Sequence, residues 1–161
     1  FSEDIYFYDN VDYQIVIKKF NDALEYVEEN YPNKRLIDSI KKLISYFRKC
    51  RAYVNQVNNS LQQAKDLYKK GLFSTAREIL HYTLHPIFES ETQEFLDLKD
   101  CTIENAKIRD IAEHNIELNE LYALCTCRIA ERESDKQKKL TLFQIASIYM
   151  IKAENTSIRA F

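Results

Sequence analysis

From residue 36 to residue 68 an apolar side chain recurs at every third or fourth position without a miss: Leu36, Ile40, Leu43, Phe47, Cys50, Val54, Val57, Leu61, Ala64 and Tyr68. A 3.5-residue repeat held over this span is the pattern of one long helix with a single buried seam, as in coiled coils and long bundles. The spacing predicts a helix from about residue 35 to Lys70, about 50 Å long at 1.5 Å per residue. Its stop signal is Gly71, the only glycine in the chain. Glycine adopts the left-handed conformation that ends helices, and Lys69 and Lys70 before it suit the negative end of the helix dipole. One glycine and two prolines in 161 residues leave little material for the tight turns of sheet proteins or the strand–helix junctions of α/β folds.

The same reading organises the rest. Residues 1–10 are aromatic and aperiodic, an irregular arm. Asn10 or Asp12 can cap a first helix carrying Val16, Phe20, Ala23, Leu24 and Val27, which Pro32 terminates near Asn30. Ser74 is expected to cap a third helix with Ala76, Ile79, Leu80 and Leu84, ended or kinked by Pro86. The acidic stretch 87–100 reads as a connector that continues into helix with Phe95 and Leu98. A fourth long helix is expected over roughly 102–132, with Asn115 on its seam as either a register-fixing buried amide or a solvated edge residue. Ser134 and Gln137 form a capping-box pattern for the last helix. Leu140, Leu142, Phe143, Ile145, Ala146, Ile148, Tyr149, Met150 and Ile151 make that helix apolar nearly all round. Such a helix is buried on most sides, or turns one face to another chain. A strand over Thr141–Ile151 would lack a strand to pair with.

Composition narrows the function classes. The chain is 45% hydrophobic and 30% charged, with net charge −2. It can bury a core, and it offers no general attraction for nucleic acid or membrane surfaces. No apolar run is long enough for a membrane span. A start at Phe1 is read as a fragment or processed product of a longer protein. Four cysteines, Cys50, Cys101, Cys125 and Cys127, read as free apolar thiols, with two disulfides as the alternative. With a single glycine, no multi-glycine nucleotide fingerprint is possible.

Three constellations could carry chemistry. His81 and His85 stand i, i+4 on one helical face, the spacing of a two-histidine metal chelate, but no third ligand accompanies them. Cys125-Thr-Cys127 puts its thiols on nearly opposite sides of a helix, so they cannot share one metal. Lys34, Arg35, Lys41, Lys42, Arg48, Lys49 and Arg51 face only Asp38, with Tyr46 and Tyr53 interleaved. That is a basic face for a partner, or a face paired with Glu25, Glu28 and Glu29. Asn58-Asn59-Ser60 and Asn155-Thr156-Ser157 match the N-glycosylation pattern at chance frequency.

The segment Ala64-Lys-Asp-Leu-Tyr-Lys-Lys-Gly-Leu-Phe-Ser-Thr-Ala-Arg-Glu-Ile-Leu80 has the form A-x-x-L-Y-x-x-G-x-[FY]-x-x-A-x-x-x-L. It resembles tetratricopeptide-like hairpins. With the long helix before it, residues 34–80 also resemble the spectrin-like repeats of EzrA, the septation ring formation regulator. The resemblance implies a cytoskeletal scaffold that binds a filament-forming division protein, and it brings no site residues with it.

These readings together predict an all-α, elongated antiparallel helical bundle of about five helices, spectrin-like or coiled-coil-like, as a single domain over residues 1–161. The expected role is non-enzymatic, a structural or protein-interaction module without cofactor or metal. A secreted or cell-surface adhesin or effector domain with disulfides is the alternative. Cytoplasmic residence is favoured over the cell surface. Partner-binding residues are expected on the basic face (Lys41, Lys42, Arg48, Lys49, Arg51) and on the last helix (Phe143, Ile148, Ile151). The partner is another protein, with a homodimer possible and no nucleic acid.

Overall fold

The computed structural model describes residues 12–86 and 95–159, and the architecture there is all-α, with six helices and no strand among the described residues. The helices are α1 (Tyr13–Asn30), α2 (Lys34–Lys69), α3 (Phe73–Leu84), α4 (Phe95–Glu113), α5 (Ile116–Arg132) and α6 (Lys136–Arg159). The aromatic arm and the connector between Pro86 and Phe95 lie outside the described residues. The chain forms two compact units, Phe1–Asn55 and Gln56–Phe161.

In the first unit Asp12 caps α1, its carboxylate accepting from the Gln14 and Ile15 amides at 3.1 and 3.2 Å. Asn33 does the same for α2 through the Leu36 amide. The core here is aromatic. Phe47 lies 5.6 Å from the Phe20 ring and 6.4 Å from the Tyr13 ring, and Ile17, Ile40 and Ile44 are buried on the same two helices. The long helix is unbroken, and its seam is buried from Ile40 through Phe47, Cys50, Val54, Val57 and Leu61 to Ala64. Ile44, absent from the predicted stripe, joins it. A straight helix turns every 3.6 residues, so a 3.5-residue stripe drifts and admits an extra neighbour. Leu36 stays 44% exposed, because the first turn of a helix has packing neighbours on one side only.

The second unit begins with the hairpin of α2 and α3. Gly71 has φ +79°, and the Leu72 amide donates back to the Leu67 carbonyl while Gly71 donates to Tyr68. This is the Schellman closure that needs glycine at that position. The turn is so short that α3 starts at Phe73 with Leu72 in the cap position and no side-chain cap. Ser74, the expected cap, is already inside the helix.

The predicted helix over 102–132 is two helices. Asn115 breaks it, buried and capping α5 by accepting from the Leu118 amide at 2.9 Å. Asn119 closes the other side of the break. Its amide nitrogen lies 3.1, 3.3 and 2.7 Å from the carbonyls of Ala112, Glu113 and Asn115, which flank the break between α4 and α5. Asn115 is thus neither a seam residue fixing register nor a solvated one. Here the preference of asparagine for a cap prevails over a hydrophobic period that runs through it, and six helices stand in place of five.

The loop Glu133–Asp135 returns the chain so that α6 packs along α5. Asp135, not Ser134, caps α6, accepting from the Gln137 and Lys138 amides at 2.9 and 3.0 Å. The face of α6 turned to the bundle buries Ala146, Tyr149 and Ala153, two small residues and one large. The expectation that α6 is buried on most sides is not met. Leu140, Phe143, Ile148, Met150 and Ile151 are 37–55% exposed.

Candidate functional site

Two regions hold the side chains from which a function can be built. The first is a polar and aromatic tie joining α3, α5 and α6. Arg77 and His81 stand one turn apart on one face of α3, and His85 follows as its C-cap residue. The Arg77 Nε donates to Thr126 Oγ1 at 2.9 Å, and its guanidinium lies 4.8 Å over the Tyr122 ring. His81 Nδ1 shares a hydrogen bond of 3.0 Å with the Tyr122 hydroxyl, and His85 Nε2 shares one with the Tyr149 hydroxyl. The imidazoles are 4.9 Å apart, the two tyrosine rings meet edge-to-face at 4.5 Å, and Lys152 sits over Tyr149 at 4.7 Å. Thr126, fully buried, donates to the Tyr122 carbonyl.

The titration of these groups follows from their setting. Burial, and then the Arg77 charge, lowers the His81 pKa. Burial lowers His85 too, followed by His81, Lys152 and Arg77, with Glu113 acting the other way. Burial pushes Tyr149 up to about 12, with Tyr122 adding to the rise, and Tyr122 itself is raised by burial against the pull of Arg77. Near neutral pH the two imidazoles and two phenols are therefore uncharged. Cys125 and Cys127 are free thiols, and no disulfide occurs among the described residues. The Cys101 side chain lies outside them. Burial raises the Cys125 thiol to about 11, and Cys127 is raised by burial and then by Glu131. A nucleophile is activated by a lowered pKa or an adjacent base. Both thiols and both phenols are shifted in the opposite direction. No third histidine, cysteine or carboxylate joins His81 and His85 among the described residues. The tie can hold three helices in register through two imidazole–phenol hydrogen bonds and the Arg77 bond to Thr126.

A scan of protein-family models, a search of curated proteins and a search of solved structures each found no match to this chain.

The second region is the outward side of α6. At 100° per residue Ala146, Tyr149 and Ala153 define the buried side, Leu140, Ile148 and Ile151 fall opposite it, and Phe143 and Met150 lie on the flank between. Ile148 and Ile151, two of the predicted partner residues, thus share the outward side. Phe143, the third, is exposed on the flank. The basic face of α2 is arranged differently. Lys41 and Arg48 stand seven residues apart on one row, Lys42 and Lys49 on the next, and all four are exposed. Arg51 is half-buried beside the seam residue Cys50, so it does not belong with them. None of the five makes an ion pair among the described residues, and the expected pairing with Glu25, Glu28 and Glu29 is not formed there.

Sequence reasoning found His81 and His85 by their spacing but missed Tyr122, Tyr149, Arg77 and Thr126. Their only signal was polar or aromatic side chains on otherwise apolar helix faces, which also describes ordinary amphipathic helices.

Proposed function

We propose that this chain is a non-enzymatic protein-interaction module, with the outward side of α6 as its docking surface. A cytoskeletal or division scaffold is the form of that role implied by the resemblance of residues 34–80 to EzrA repeats. One observation carries the reading: five large apolar side chains stand exposed within Leu140–Ile151, on a helix whose other side supplies the packing. Their exposed surface is on the order of 450 Å², within the range where a monomer's largest apolar patch is often functional. The shifts around the α3–α5–α6 tie support the same reading, since its imidazoles and phenols are held neutral and the Cys125 and Cys127 thiol pKa values are raised.

The test is thermal unfolding of Leu140→Gln with Ile151→Gln, carried out on dilute protein. A surface kept for a partner can be made polar without harm, so the melting temperature stays within a few degrees. A collapse of the melt would place these residues in the core and end the reading.

A further inference from the structure

One exposed flank of α6 has an order that a general apolar surface does not require. Its positions are Lys136, Leu140, Phe143, Ser147, Met150 and Glu154, separated by steps of four, three, four, three and four. That spacing reads the same in both directions about the level of Ile145. Two such helices laid antiparallel would set Lys136 opposite Glu154 of the other copy, Leu140 opposite Met150, and Phe143 opposite Ser147. Each of these is a pairing of the kind that forms layers in antiparallel coiled coils.

The side chains fit those layers. The outer layers join opposite charges, and each Glu154 reaches the positive N-terminal end of the other α6. The next layers are apolar on apolar. The inner layers place a phenyl ring against the smallest side chain of the stripe. Ser147 already donates its hydroxyl to the Phe143 carbonyl at 2.9 Å, so it enters a dry contact without leaving a donor unsatisfied. A parallel pairing fails on the same residues. It would stack lysine on lysine and glutamate on glutamate, with phenylalanine on phenylalanine beside a serine gap. Lys136, Ser147 and Glu154 are exposed, and neither Lys136 nor Glu154 has an ion pair among the described residues.

We infer that the partner of this surface is a second copy of the chain, joined through an antiparallel α6–α6 pair about a two-fold axis at the level of Ile145. The inference rests on the docking role proposed for α6 and names its occupant. The stripe from Lys136 to Glu154 is about 27 Å long. A pair of that length lies at the small end of specific interfaces, so a reversible dimer is expected. Ile151 flanks the stripe and gains cover, whereas Ile148 lies outside the layers.

Sedimentation equilibrium of the whole chain from about 1 to 200 µM should show a monomer–dimer equilibrium. Lys136→Glu and Glu154→Lys should each weaken it about tenfold or more, since a two-fold pair turns both attractions into repulsions. The double variant, which restores opposite charges, should recover most of the loss. Leu140→Gln should abolish dimerisation, and Ile148→Gln should leave it within about threefold. A chain that stays monomeric at the highest concentration overturns the inference. So does a double charge variant no better than the singles. If the chain is monomeric while Leu140→Gln and Ile151→Gln still melt normally, self-pairing falls and the docking role stands. If those variants unfold, both fall.

Discussion

The two sides of α6 divide its large apolar residues between them. The buried side is built on Ala146, Tyr149 and Ala153 with Leu142 and Ile145 half-buried beside them, while the exposed side carries Leu140, Phe143, Met150 and Ile151 among Lys136, Gln144, Ser147 and Glu154. Small side chains let α6 approach α5 closely, and the Tyr149 hydroxyl is satisfied by His85. Burial in a helical bundle follows from which side can approach a neighbour, and hydrophobicity alone does not order the sides of one helix.

Five substitutions sharpen or break this contrast. The largest effect belongs to the core against which α6 is compared. Leu80 on α3 is fully buried, and Leu80→Ala should cost about 2–5 kcal/mol in urea unfolding. Next is Ala146→Leu on the inner side. It makes α6 more hydrophobic, yet should destabilise by about 1–3 kcal/mol, because the added volume separates α6 from α5. An unchanged or raised stability would show that the two helices are not closely packed there.

Tyr149→Phe should cost about 0.5–1.5 kcal/mol by taking the hydroxyl from His85, read from the same unfolding curves. The pH dependence supplies a second readout. Both imidazole pKa values are lowered in the fold, so below about pH 6.5 the unfolded chain binds more protons than the native one. The stability held above that pH is lost as pH falls toward the native values. The Tyr149 pKa is raised to about 12, so its contribution is intact below about pH 10 and lost between there and pH 12. Tyr149→Phe should flatten the alkaline loss, and His85→Gln the acidic one. The smallest effect is on the outer side. Ile151→Gln in dilute monomer should change stability by no more than about 0.5 kcal/mol, and a cost approaching that of Leu80→Ala would erase the contrast.

Much of the fold was legible because it is local. The α2 seam, the Gly71 turn, the Pro32 stop and the Asp12 cap each depend on residues within a few positions of one another. The errors fell where two local signals competed. At Asn115 a cap interrupts an apolar period, and the decision came from Asn119 and the carbonyls it closes. At the starts of α3 and α6 the loop lengths moved the caps from Ser74 to Leu72 and from Ser134 to Asp135. The α3–α5–α6 tie was legible only as His81 and His85, since their tyrosine partners lie 41 and 64 residues away and no periodicity reports such distances.

Backbone hydrogen bonding and apolar spacing act over a turn or two, so local residues make this protein helical, set where its long helix runs and end it at Gly71. Which side of α6 is covered, and which groups meet His81 and His85, came from packing. Those outcomes depend on helices returning to one another across long stretches of chain, where close packing selects among sides that the sequence alone leaves equivalent.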